Sequence, residues 1–93
     1  MVELKETVDL MNSEDYKERL KAEYYQTKIR YEKLKAFNTK IEASRRTSYE
    51  MGCKKIDLPM HDCPDDILRE QQNLMGQYLH ILEVRAVIEG IEL

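Results

Sequence analysis

The sequence has little of what punctuates or staples a fold: three Gly, two Pro and two Cys in 93 residues. It has no run of about 18 apolar residues, which excludes an ordinary membrane-spanning helix. The opening MVELKETVDL carries acids where a signal peptide has its apolar stretch, so the expectation is a cytosolic chain, neither exported nor inserted. Cys53 and Cys63 are too few for a disulfide framework. In a reducing compartment free thiols are the default, with one loop-closing bridge as the minor alternative. An excess of positive charge is missing too. Against 18 Asp and Glu stand 15 Lys and Arg, a net charge of −3, and bulk binding to DNA or an anionic membrane scales with the phosphates that cations neutralise. Only a local basic patch is compatible with that balance. Finally, no nucleophile motif, glycine-rich phosphate loop or carboxylate pair in a clear pocket is present, so the expectation is binding without turnover.

What is present is helical period. All Gly and Pro lie beyond residue 51, which leaves a long unpunctuated run before them. Ser13 is placed as an N-cap with Glu14 and Asp15 in the first turn, where carboxylates meet the positive end of the helix dipole. Tyr16, Leu20, Tyr24, Thr27, Tyr31, Leu34 and Ile41 then recur at steps of three, four or seven, predicting a first helix over about 13–43. A second helix is predicted over about 64–89, with Pro64 at its first position, Asp65 and Asp66 in its first turn and Gly90 as its stop. Ile67, Leu68, Gln71, Leu74, Met75, Tyr78, Leu79, Leu82 and Ile88 mark its apolar stripe, and Ile81, Val84 and Val87 widen it. The connection, about 44–63, has no clean period and is read as partly ordered, with a short strand or turn at KKIDLPM. Residues 1–12 form an arm with a turn of helix around Leu4 and Val8.

The fold class expected is therefore all-α, a long antiparallel two-helix hairpin over 13–90. Two helices in a hairpin cannot enclose a core, and chains of this size bury a small share of their surface. The surplus apolar face of the second helix calls for another copy of the chain, so a homo-oligomer with closed symmetry is expected.

The segment AEYYQTKIRYEKLKAF, residues 22–37, concentrates rings and cations. Lys21, Lys28 and Lys35 repeat every seven residues with Tyr25 between the first two on the same stripe, beside the packing stripe of Tyr24 and Tyr31. A face with one exposed ring and three ammonium groups supplies what a nucleotide requires, a π surface for the base and cations for phosphate. The alternative is a solvated helix face with Glu32 pairing Lys28 or Lys35. Cys53, His61, Asp62 and Cys63 are four metal-ligand types in eleven positions, but their spacing fits no standard zinc pattern, so they are read as loop residues and no metal is assigned. Arg45, Arg46, Lys54 and Lys55 form a basic knot, read as pairing with the acids at Asp62, Asp65 and Asp66 in preference to a phosphate site. His80, next to Leu79, is read as an interface histidine.

YKERLKAEYYQTKIRYEKLKAF, a connection containing LP, and LREQQNLMGQYLHILEVR together resemble the helical-hairpin domain of phage anti-CBASS and Thoeris anti-defence sponges. The resemblance rests on KLKAF near the end of the first helix and on the pattern Tyr78-Leu79-x-x-Leu82-x-x-Arg85, and covers roughly residues 14–90. It implies a phage protein acting in the cytoplasm of the infected bacterium, sequestering nucleotide signals of immunity without cleaving them. The anti-CBASS type, similar in length, implies a hexamer of hairpins with cyclic dinucleotides between neighbouring chains and cyclic trinucleotides at separate sites. The Thoeris type implies a cyclic ADP-ribose isomer and often carries additional structure. The absence of a second domain favours the anti-CBASS type. An aromatic and a lysine of the first helix and an arginine late in the second contact ligand in such sponges, which implies Arg85 by its place in the pattern and Tyr16, Tyr24, Lys33 and Lys35 as ligand-binding candidates. No cofactor is implied. The long connection and the twelve-residue leader depart from the pattern, which leaves ligand choice open. Two readings from other classes stand beside this one: an adaptor that binds a protein through its apolar stripe, and a nucleic-acid binder using the basic knot, which the acidic net charge disfavours.

Overall fold

The computed structural model describes residues 3–50 and 61–93, and among them the chain is all-helical with no strand. Three helices follow in order: α1 (Leu4–Met11), α2 (Tyr16–Glu50) and α3 (Asp65–Glu89). At 1.5 Å per residue α2 is roughly 52 Å long, close to the 55 Å long axis of the molecule. It is the element on which the other two lie. Both α1 and α3 pack on α2 and neither packs on the other.

The first turn of α2 departs from expectation. Asp15 is its cap, with Oδ1 accepting the Lys17 amide at 3.0 Å, while Ser13 Oγ accepts from the Asp15 amide at 3.1 Å. Ser13 turns the chain and Asp15 satisfies the orphan amide of the helix end. The far end runs on to Glu50, past the predicted stop near 43, and absorbs seven residues assigned to the connection. The reason is physical: nothing before Gly52 breaks a helix, and the buried face continues through Ile41 and Ser44. Thr39 and Thr47 bond back to the carbonyls of Lys35 and Ala43, so their hydroxyls are satisfied within the helix. The strand or turn predicted at KKIDLPM lies outside the described residues.

The limits of α3 were nearer the mark. Pro64 stands just before the helix as its cap, with its carbonyl accepting the Leu68 amide, and Asp65 and Asp66 fill the first turn. Gly90 ends it in the left-handed region (φ 68°), where a Cβ would be strained, and the Ile91 amide reaches the Ala86 carbonyl at 2.8 Å. The leader is a full two turns of helix, longer than the single turn expected. Thr7, on its inner face, is fully buried and donates to the Leu4 carbonyl.

α2 and α3 meet in opposite sense: Tyr24 bonds Glu83, Asn38 bonds Gln72 and Arg45 pairs with Asp65. The apolar core sits at one end of this seam, where Leu20, Tyr24, Leu79 and Leu82 are buried together with Tyr25, Tyr31 and Ile91 against them. Ala22 is fully buried as well. Two residues from Leu20 and Tyr24, it faces the other side of α2, the side that α1 covers. Midway along, Gly76 lets α3 come close to Tyr31: a Cβ there would stand 3.2 Å from the Tyr31 ring. That contact accounts for a glycine inside a helix, where it costs about 1 kcal/mol relative to Ala.

Leu82→Ala removes the most enclosed large side chain of the core. It is expected to lower unfolding free energy by about 2–5 kcal/mol, read from the urea midpoint at fixed protein concentration. A loss under about 1 kcal/mol would show that the cluster does not hold the two helices together.

Candidate functional site

The polar chemistry of the molecule gathers at three places. At the core end, the first turn of α2 meets the last of α3. Here Glu89 takes the Arg85 guanidinium through Nε at 2.8 Å and also the Tyr16 hydroxyl, while Tyr78 donates to Glu23 across the helices. Each shift follows from these partners. Hydrogen bonding to Glu89 raises both the Tyr16 phenol and the Arg85 guanidinium, the Arg85 bond holds Glu89 below the usual carboxylate range, and Glu23 raises Tyr78. Two candidates from the sequence, Tyr16 and Arg85, are thus brought to one carboxylate on an exposed surface.

Tyr24 lies one step deeper. Burial first, and then its bond to Glu83 at 2.9 Å, push its phenol up to about 12. Tyr25 meets its ring edge-on at a centroid distance of 5.3 Å, and Lys28 Nζ lies 5.8 Å from its centroid. Tyr25, expected as the exposed ring of a ligand face, is instead half-buried against the core. Nearby rings pull each other inward because each covers apolar area that the other leaves open.

The third place is the other half of the α2–α3 seam, where two concavities lie end to end. A groove of about 840 Å³ is lined by Tyr31, Asn73, Gly76, Gln77, His80 and Ile81, together with Arg69 and Gln72. A cleft of about 480 Å³ continues from Arg69 and Gln72 to Lys35, Asn38, Arg45 and Arg46. Asn38 crosses the seam with both amide hydrogens, to the Leu68 carbonyl at 3.2 Å and to Gln72 Oε1 at 2.9 Å. Its own Oδ1 is buried with no donor among the described residues. Arg45 pairs with Asp65 as expected, whereas Arg46 pairs with Glu42 of its own helix and not with Asp62, Asp65 or Asp66; Lys54 and Lys55 lie outside the described residues.

Of the other candidates, Lys35 lines the cleft and Lys33 is exposed on α2 away from the Tyr16 and Arg85 pair. The structure therefore places the five at four separate positions, with only Tyr16 and Arg85 together. His80 lines the groove, exposed and 4.0 Å from Glu83. Both nitrogens of His61 are engaged, Nδ1 with the Cys63 carbonyl and Nε2 3.1 Å from Asp65 Oδ1. Its ring also stands edge-on to Phe37. Cys63 is a free thiol and Cys53 lies outside the described residues. Arg69, Gln72 and Asn38 went unnoticed in the sequence. The available signal was Asn38, an amide standing between Leu34 and Ile41 on an apolar stripe.

Tyr24 supplies a pH test. Its folded-state pKa is raised above the unfolded value, so the native state is favoured below pH 10 and loses that preference as pH rises from 10 through about 12. A spectroscopic alkaline titration is expected to show one phenol ionising after the rest together with loss of helix, and Tyr24→Phe is expected to remove the late phenol.

No curated protein and no solved structure matches the chain. A family model described as Sequestin matches residues 14–88, which spans α2 and nearly all of α3 and leaves α1 outside. The match agrees with the sequence resemblance at the level of a sequestering anti-defence family, without distinguishing the anti-CBASS type. On a match covering most of its length, the chain belongs to the Sequestin family.

Proposed function

We propose that the protein sequesters a cyclic nucleotide messenger of bacterial immunity and does not cleave it. The observation that carries this is family membership across residues 14–88, under a name that speaks of sequestration. In this reading the protein is a phage product acting in the cytoplasm of the infected host, where removal of the free messenger keeps the effector of the defence system inactive. The CBASS reading takes cyclic dinucleotides, and cyclic trinucleotides at a separate site near Arg85. The Thoeris reading takes a cyclic ADP-ribose isomer. Either ligand is flat, anionic and polar-edged, and would require rings, amides and cations in one place.

The working form in this proposal is a hairpin oligomer, a hexamer by the sponge resemblance. Support comes from α3, whose Ile67, Leu74, Ile81 and Ile88 recur every seven residues and are all exposed, with Tyr78, Val84 and Val87 also exposed. Seven-residue spacing keeps such side chains on one line of a helix, the pattern of a helix–helix seam. Exposed apolar area of this extent favours covering at about 25 cal/mol per Å². Leu74→Glu with Ile81→Glu is expected to lower the oligomer mass in light scattering while leaving helix content intact, because neither side chain is part of the buried cluster. An unchanged mass would move the interface elsewhere.

Native mass spectrometry of the purified protein against cyclic dinucleotides, cyclic trinucleotides and cyclic ADP-ribose isomers tests the function and names the ligand class. Intact ligand retained at fixed stoichiometry is the expected result. Retention of none would favour a protein-binding adaptor, for which the exposed apolar face of α3 is the specific observation. Arg85→Ala is expected to weaken trinucleotide retention selectively, and equal loss of dinucleotide would contradict separate sites.

A further inference from the structure

The groove and the cleft of the α2–α3 seam meet at two side chains, Arg69 and Gln72, which line both. Their chemistry differs on the two sides. The groove has the Tyr31 ring, which lies over Gly76, and the apolar Ile81. The cleft has four cations, Lys35, Arg45, Arg46 and Arg69, against two carboxylates, Glu42 and Asp65. Arg45 and Arg46 are the ones paired with those carboxylates. Lys35 and Arg69 have no acidic partner among the described residues, so the cleft holds an excess of positive charge inside a protein that is net negative.

Gln72 adds direction. Because its Oε1 accepts from Asn38, its Nε2 hydrogens are turned away from that bond and have no partner among the described residues. An amide nitrogen offers two donors and no acceptor. The Arg69 guanidinium and the Gln72 amide nitrogen at the junction, with the Lys35 ammonium in the adjoining cleft, thus stand as donors without a matching acceptor among the described residues, the donor set that binds phosphate oxygens.

We infer that this seam is a nucleotide site within a single chain: a phosphate or pyrophosphate group sits at Arg69, Lys35 and Gln72, and the attached base or ribose lies in the groove beside Tyr31. The ligand identity rests on the sequestration reading; the anion site does not. This differs from a pocket made between chains around Tyr16 and Arg85, since Lys35, Arg69 and Gln72 lie on the other half of the seam and Tyr31 stands midway, against Gly76. Gly76 acquires a second role here. By letting α3 approach the Tyr31 ring, it sets the position of the groove wall on which the base would lie.

The test uses the full chain with two probes, inorganic pyrophosphate by calorimetry and the same cyclic nucleotide panel by native mass spectrometry. Arg69→Glu and Lys35→Glu, each removing an exposed cation with no acidic partner among the described residues, are expected to leave melting temperature and oligomer mass unchanged. Each is expected to weaken pyrophosphate and retained nucleotide by about 10- to 100-fold, the scale of a lost hydrogen bond to a charged group. Arg30→Glu, an exposed charge reversal on α2 outside the seam, serves as the control with binding unchanged. Nucleotide retained equally by wild type, Arg69→Glu and Lys35→Glu would overturn the seam site and leave sequestration standing. Pyrophosphate bound by wild type and lost in both variants, with no messenger retained by any form, would overturn messenger sequestration and keep the anion site. Pyrophosphate binding in neither wild type nor variants would overturn the site itself.

Discussion

The contact between one long polar helix and the two shorter elements laid on it governs everything else in this molecule. α2 is polar over most of its 35 residues, and its buried cluster lies at one end, where Leu20 and Tyr24 meet Leu79 and Leu82. Each of these buried side chains is worth about 1.5–3 kcal/mol, so the cluster fixes register at that end, while farther along the seam polar contacts accompany the buried Ile41. There the helices are joined by the amide of Asn38 and the pair of Arg45 with Asp65. Hydrogen bonds contribute less net stability than apolar packing of similar size, but they demand specific geometry. The consequence is a seam that is closed and apolar at one end and open, polar and cationic at the other.

The burial of α1 follows from the same shortage. Ala22, small and fully enclosed on the side of α2 away from Leu20, lets a short helix come close. α2 is covered on two sides near its start, so its apolar residues need not form a single stripe there. α3 has the opposite imbalance. Its inner face is matched to α2, and its outer face keeps a full row of aliphatic side chains exposed.

Much of this was legible in the residues, and the parts that were not have identifiable causes. The all-helical class, the start of α3 near Pro64 and its stop at Gly90 follow from local rules that act within one turn, and they hold. The end of α2 lies beyond the last periodic apolar residue because a helix lacking Gly or Pro continues for as long as one face remains covered, as Ile41 and Ser44 are. Ser13 was mistaken for the cap because Ser and Asp serve equally well there, and only the turn before the helix decides between them. Tyr25 differs from expectation because its ring packs edge-on to Tyr24 and against the core cluster, a contact that a single-helix stripe does not show. Among the candidate site residues, the meeting of Tyr16 with Arg85 required knowing how far the two helices overlap. The Arg69 and Gln72 junction required knowing where their apolar packing ends. Both are properties of the pair of helices, and no single-helix pattern contains them.

Affinity is where these features converge. A protein that acts by holding a scarce messenger needs binding near nanomolar, about −12 kcal/mol. No single lysine or arginine at a surface supplies that, because small ligands are held tightly where most of their surface is enclosed and several bonds form at once. The open half of the α2–α3 seam offers donors and a ring, and no described residue roofs it. Ile81 connects this shortage to the other one, since it both lines the groove and stands in the exposed aliphatic row of α3. A second chain seated on that row would stand beside the groove and cover what one chain leaves open. Assembly and ligand binding would then be linked: each would be stronger in the presence of the other, since a ligand that prefers the covered state shifts the population toward it by its difference in affinity.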